Sequence, residues 1–400
     1  MELQVAIGDQ AWECLVGAFP VQPRRSVKSM DDSICLKPID RQVWDGLASS
    51  FNDLSYRQCG AYAEIAAHDT ASTAEFFAFY RADELIGLAS VRVKKVPLLP
   101  YGFAYLDSGP LTAREDSFSA ELFGSCLDAL TREFVVRRRL FLRIVPPHRA
   151  GRWSDDQAAC LKTHGFQHSV WLDPSETLVL DLSWPLDEIH GSFDANYRRH
   201  LSKARRSNLE ITRSDSLVDF DIFEPIFLDL VRKKGFKTRR GVSFFRRFQE
   251  KAHPDQRLVL HLAWHKGEPI AGHLGSFIGD MAVFLVGASN LTGRKFRASY
   301  LLHWAVIKHA KSSGNLFYDL GGIDLKKNST VYTFKKHLSS RRVVERSYDL
   351  AQNPLTKQCV QILEFGYNKI RESIFSVGFF LPLIVQIVIQ VQKEIIIIPA

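Results

Sequence analysis

Residues 76–93, FFAFYRADELIGLASVRV, set two apolar runs around a polar turn, Ala82-Asp83-Glu84, with Gly87 in the second run. That pattern predicts a β-hairpin. Residues 260–278, LHLAWHKGEPIAGHLGSFI, repeat it around Lys266-Gly267-Glu268 and Gly272. Downstream of each hairpin, a segment of helical period runs into a new apolar strand, over 118–144 and again over 298–320. Similar order at similar spacing implies a duplicated α/β unit. The hairpin, helix and strand grammar predicts an α/β (α+β) chain of two tandem units. Each is expected to be a mixed, partly antiparallel sheet flanked by helices. Pro174 and Pro185 bracket a strand-like stretch before a long basic helix, so the boundary is expected there. The expected division is 1–185, 186–350 and a tail over 351–400.

In that tail, Ile374 to Val391 holds no charged residue, and Lys369, Arg371 and Lys393 flank it. The run only just reaches spanning length, and Pro382 interrupts it. It is expected to lie on or in a membrane, to pack on the protein, or to remain a loose tail. The N-terminus shows no basic and apolar leader pattern, so no signal peptide is expected. Six scattered cysteines without a C-x-x-C pair argue against a zinc site or a disulfide framework, and for a cytoplasmic setting. A net charge of +8 over 400 residues suggests an anionic partner: nucleic acid, a phosphorylated substrate or an acidic membrane surface.

Three constellations carry candidate chemistry. On a helix over 193–211, Arg199, Lys203 and Arg206 share one face, while Tyr197, Leu201 and Ala204 share the opposite, buried one. Stacked like charges repel, and an anion lying across them offsets that cost. A second basic run, VRKKGFKTRRG, follows at 231–241. In the second constellation, a helix over 298–310 is preceded by Arg294-Lys295-Phe296-Arg297-Ala298-Ser299. An acyl-CoA cradle places glycine where Arg297 stands, so that bare amides grip a pyrophosphate. Arg297 counts against a standard cradle, although its guanidinium could substitute. His303 and His309 read as packing or surface residues of that helix. The third is LFYDLGGIDLKKNSTVYTFKKHL, 316–338. A central strand ends in Asp319 and two glycines, Asp324 lies in the loop beyond, and a lysine-bearing strand is expected to return to the same crevice. Lys335 or Lys336 could then stabilise an oxyanion or a phosphate. A structural Asp319, paired with an arginine or capping a turn, is the alternative.

These ordered segments resemble the FemAB family of peptidyltransferases, which pair two domains of the GNAT type. The resemblance rests on YLDSGPL (105–111), LFLRIVP (140–146), NYRRHLSKARRSNLEI (196–211), GEPIAGHL (267–274), GASN (287–290), YDLGGID (318–324) and VYTFKKHL (331–338). It implies transfer of an amino acid from aminoacyl-tRNA to an amine of a lipid-linked, peptidoglycan-type precursor at the inner face of the plasma membrane. It makes Lys335 the cation for the tetrahedral intermediate, with Asp319 and Asp324 beside it. Tyr197, Arg198, Arg199, Lys203 and Arg206 would hold the phosphates of a UDP- or lipid-linked acceptor. No metal or tightly bound cofactor is implied. The chain departs from the family pattern at Lys336-His337-Leu338-Ser339 and at Asp107-Ser108. An acyl-CoA-dependent GNAT enzyme acting on an amino sugar or exported polysaccharide precursor is the second reading. A non-catalytic relative that binds a glycan-lipid or nucleic acid is the third.

Overall fold

A computed structural model describes residues 34–95, 102–115, 117–169, 174–235, 240–323, 329–352 and 357. Its strands are β1 (Ile34–Pro38), β2 (Thr73–Arg81), β3 (Glu84–Lys95), β4 (Gly102–Asp107), β5 (Phe141–Val145), β6 (Gln167–His168), β7 (Ser175–Asp181), β8 (Glu210–Ser214), β9 (Val259–His265), β10 (Glu268–Ser276), β11 (Met281–Ser289), β12 (Phe317–Gly322), β13 (Arg342–Glu345) and β14 (Tyr348–Leu350). The helices are α1 (Arg41–Ala48), α2 (Gly60–Asp69), α3 (Ala120–Leu130), α4 (Ser154–Thr163), α5 (Leu186–Ser192), α6 (Ala195–Arg205), α7 (Leu217–Lys234), α8 (Val242–Lys251), α9 (Leu291–Lys295), α10 (Ala298–Ser312) and α11 (Ser329–Lys336).

The duplication predicted from the sequence is present strand for strand. Both hairpins, β2–β3 and β9–β10, turn on a residue in the left-handed region, Ala82 (φ 52°) and Lys266 (φ 54°). An antiparallel strand follows each, β4 or β11, and then a helix, α3 or α10. The strand after that helix, β5 or β12, returns parallel to its neighbour. The result is two seven-stranded mixed sheets, ordered β1-β2-β3-β4-β5-β14-β6 and β8-β9-β10-β11-β12-β7-β13.

The sixth position of each sheet is filled from outside its own run of chain. β7 lies between β12 and β13 of the second sheet, and β14 crosses back between β5 and β6 of the first. The boundary expected at 185/186 therefore falls after a strand of the second sheet, and we propose to draw it between β6 and β7. Arg143 of β5 anchors β14 by donating to both carboxylate oxygens of Asp349, at 2.6 and 2.9 Å.

Between the two sheets α2, α7 and α8 share one apolar core. Tyr62 packs on Phe244 and Tyr56 on Phe245, at 5.7 and 6.2 Å between ring centroids. In α8, Phe244, Phe245 and Phe248 are buried, following the helical period, so the amphipathic pattern turns this face inward. Gly272 of β10 admits α7 closely: a Cβ there would stand 2.3 Å from the Phe223 ring. Among the described residues no helix is long and apolar enough to cross a membrane; Ile374 to Val391 lies outside them.

Candidate active site

β11 and β12 pair over three residues only, Met281 with Phe317, Ala282 with Tyr318 and Val283 with Asp319, and then part. On its other side β12 shifts register against β7 between Asp319 and Gly322. Gly321, at φ 77°, allows that break. Parting strands strip backbone carbonyls of their ladder partners, and side-chain donors take those places. Lys335 Nζ donates to the carbonyls of Gly321 and Gly322 at 3.0 and 2.8 Å, and the Thr177 hydroxyl also reaches Gly321 at 3.0 Å.

Lys335 reaches this point from a helix, not from the strand expected. The β-branched and aromatic residues Thr330, Val331, Tyr332, Thr333 and Phe334 suit a strand by residue type. The buried or half-buried positions Val331, Phe334, Lys335 and Leu338 instead follow the i, i+3, i+4, i+7 period of α11 and its exit. Lys335 is 4% exposed, and Lys336 points to solvent. Burial pushes the Lys335 ammonium down to about 8, with the Asp319 carboxylate pulling the other way. Among the described residues no carboxylate pairs directly with it, and its Nζ lies 5.4 Å from the Phe284 ring centroid.

Two cavities meet at this point. One, about 420 Å³, is lined by Lys335, Phe334, His273, His303 and Ser299, with the cations Lys234, Arg240 and Arg294 also on its wall. The other, about 190 Å³, lies against the second sheet and is lined by Arg57, Glu176, Thr177, Asp319, Gly321 and Glu345. Arg240, Phe284 and Leu285 belong to both walls.

Asp319 faces the second cavity and holds the break in β12. Its carboxylate accepts from the Gly321 amide at 2.7 Å, from His148 Nε2 at 3.2 Å and from the Thr177 hydroxyl. Burial raises its pKa, but the His148 contact and these hydrogen bonds outweigh burial and hold it below the usual carboxylate range. His148 is raised in turn: burial opposes its charge, and Asp319 and Glu345 overcome that. Asp319 is therefore tied to His148 rather than to Lys335. Asp324 lies outside the described residues.

The basic helix divides by role. Leu201, Ala204 and Tyr197 are buried, as their spacing predicts. Tyr197 is fully buried, donates its hydroxyl to the Tyr300 carbonyl at 3.2 Å and packs on Phe193 and Phe334. It holds α6 against α10 and α11, and its expected contact with a phosphate is corrected on that ground. Arg198 turns back to the carbonyls of Gly191 and Phe193, at 2.5 and 2.7 Å, closing the turn between α5 and α6. Arg199, Lys203 and Arg206 are exposed and line neither cavity. Arg199 and Lys203 stand with Arg297 around His200, whose pKa is lowered by burial and then by these three cations. Arg297 caps α10 in the left-handed region, at φ 60°, a conformation that glycine adopts at no cost.

Sequence reasoning missed Arg57 as a lining group and His148 as the partner of Asp319, and it named Arg240 only within the basic run at 231–241. Each meets the site through tertiary packing, and no local spacing signals it. It also read His303 as a packing residue, whereas the ring lines the larger cavity.

A family model described as an acetyltransferase (GNAT) domain matches residues 191–336. The lipid II:glycine glycyltransferase of Staphylococcus saprophyticus is 21% identical over 327 residues, covering 64% of this chain and 78% of that protein. The protein of the same name from Staphylococcus aureus strain MRSA252 is 22% identical over 318 residues, covering 61% and 74%. Among solved structures, FemX superposes with a TM-score of 0.68 at 20% identity, over 82% of this chain and all of that one. The paired mixed sheets agree with these likenesses: the chain shares the fold of FemX and is similar in sequence to the lipid II:glycine glycyltransferases.

Proposed function

We propose that the protein transfers an amino acid from aminoacyl-tRNA to an amine of a lipid-linked, peptidoglycan-type precursor. The observation that carries this reading is the buried Lys335 ammonium, held by two carbonyls at the junction of two cavities. An acyl transfer between two bulky substrates needs such a junction, with one reactant entering from each side.

The acceptor amine attacks the ester carbonyl of the donor, forming a C–N bond and leaving negative charge on the carbonyl oxygen. A buried cation stabilises that charge more than an exposed one, because water does not screen it. Collapse breaks the C–O bond, and the amine proton leaves with the 3′ oxygen of the tRNA. Arg57 and Arg240, on the wall of the smaller cavity, suit the phosphates of the acceptor. The exposed Arg199 and Lys203, with the half-buried Arg297 near them, suit a tRNA backbone. Arg297 in the glycine position favours tRNA over acyl-CoA as donor. Work at the inner membrane face follows from an acceptor of this kind.

The test supplies the purified chain with a lipid-linked muropeptide and two labelled donors, aminoacyl-tRNA and acyl-CoA. Label passing from tRNA to the muropeptide supports the reading, and label passing from acyl-CoA alone replaces it with a CoA-dependent enzyme.

A further inference from the structure

Beside Lys335 lies a chain of three hydrogen-bonded side chains that the mechanism above does not use. The Tyr318 hydroxyl sits between His273 Nε2 at 2.7 Å and His303 Nδ1 at 2.9 Å. All three residues are buried, and both rings line the larger cavity. The three come from different elements, β10, β12 and α10. Phe284 of β11 and Phe334 of α11 pack on the His303 ring, with centroids at 5.4 and 5.2 Å, and Lys335 lies next along α11.

The order of protons along the chain follows from one orphan atom. His273 Nδ1 is buried without a hydrogen-bond partner. A neutral imidazole carries one N–H and one bare nitrogen, and burying an unpartnered N–H is the rarer and costlier choice. The His273 proton therefore sits on Nε2 and is donated to the Tyr318 oxygen. Tyr318 must then donate its own proton to His303 Nδ1, so the His303 proton is on Nε2. With Nδ1 engaged, Nε2 is the one polar atom that His303 can offer to the cavity.

We propose that His303 is a second oxyanion donor of this acyltransferase: a neutral imidazole whose Nε2–H, fixed in place by Tyr318 and His273, acts beside Lys335. The proposal rests on the acyl-transfer reading above and adds a catalytic residue to it, with Tyr318 and His273 as positioning residues. Burial keeps the ring neutral, bringing His303 down to about 3, with the Lys335 charge adding to that, so it donates a hydrogen bond without carrying a proton away. A second full positive charge beside Lys335 would cost more than a neutral donor does. The division of labour is one charge and one neutral dipole on the same oxygen.

Two measurements test this. A histidine-selective ¹⁵N spectrum of the full chain, with no substrate, is expected to show His303 neutral near neutral pH with its proton on Nε2, and a mixture of tautomers in Tyr318→Phe. A proton on Nδ1 in the native chain, or an imidazolium, overturns the proposal. In steady-state transfer, His303→Leu is expected to lower kcat by roughly 100-fold with KM within about twofold, the loss typical of one oxyanion donor. His303→Gln, which retains an N–H donor, is expected to recover at least about a tenth of the native kcat. His303→Leu with native kcat overturns the proposal. So does a His303→Gln chain that matches the native melting temperature yet recovers nothing. A native chain that transfers nothing from aminoacyl-tRNA removes the proposed function, while the spectrum still decides the proton order.

Discussion

Lys335 is an unusual place to keep a charge: buried, without a carboxylate partner among the described residues, and held by two carbonyls at the break in β12. If it stabilises an oxyanion, Lys335→Ala should lower kcat about 100- to 1,000-fold with a smaller effect on KM. Its charged form is the active one and is lost as pH rises through about 8. The transfer rate should therefore fall on the alkaline side near that value, and Lys335→Arg, which stays charged, should move the fall upward. A rate unchanged across that range in the native chain would contradict the assignment. The sequence pointed to both Asp319 and Lys335 because an acid, two glycines and a lysine pair stand within twenty residues. It could not show their partners. His148 meets Asp319 across 171 positions of chain, and two carbonyls made available by a register shift have no signature in residue type.

At the scale of elements, the strand expected at Lys335 is a helix, because eight residues of mixed β-branched and aromatic character fit both periods and tertiary packing chooses. The close approach of β10 and α7 gives a prediction of its own. Gly272→Ala places a methyl group against the Phe223 ring and should destabilise the protein by about 1–3 kcal/mol, read as a shift in urea midpoint. Along α10, β9 and β10 run four imidazoles, His303, His273, His261 and His309, with neighbouring centroids 4.9, 6.2 and 5.2 Å apart. Burial, then neighbouring charges, lowers His261 to about 2 and His309 to about 4, and lowers His273 as well. The unfolded chain binds protons at these rings near the ordinary value of about 6.5, and the folded chain does not. Stability is therefore complete above that pH and is lost as pH falls below it. Melting temperature should be level above neutrality and decline progressively below about pH 6.5, more gently in His261→Leu. A melting temperature that stays level well into acid would refute the neutral row.

For the whole molecule, one apolar core joins helices of both sheets, and each sheet borrows its sixth strand from beyond its own run of chain. The two units should thus unfold together, in one calorimetric transition. Asp349→Ala removes the carboxylate that fastens β14 through buried Arg143, and should cost about 3–5 kcal/mol while leaving the transition single. Two separated transitions in the native chain would mean that the shared core does not couple the units. The duplicated hairpin, helix and strand were legible from hydrophobic period alone. The exchange of β7 and β14 was not, since a short strand carries no mark of which sheet it will join.

The measurement that bears most directly on the central claim is a single-turnover transfer with both labelled donors present, comparing the native chain with Lys335→Ala. The account predicts label moving from aminoacyl-tRNA to the lipid-linked acceptor, roughly 100-fold slower in the variant. Equal rates in the two proteins, or label arriving only from acyl-CoA, would contradict it.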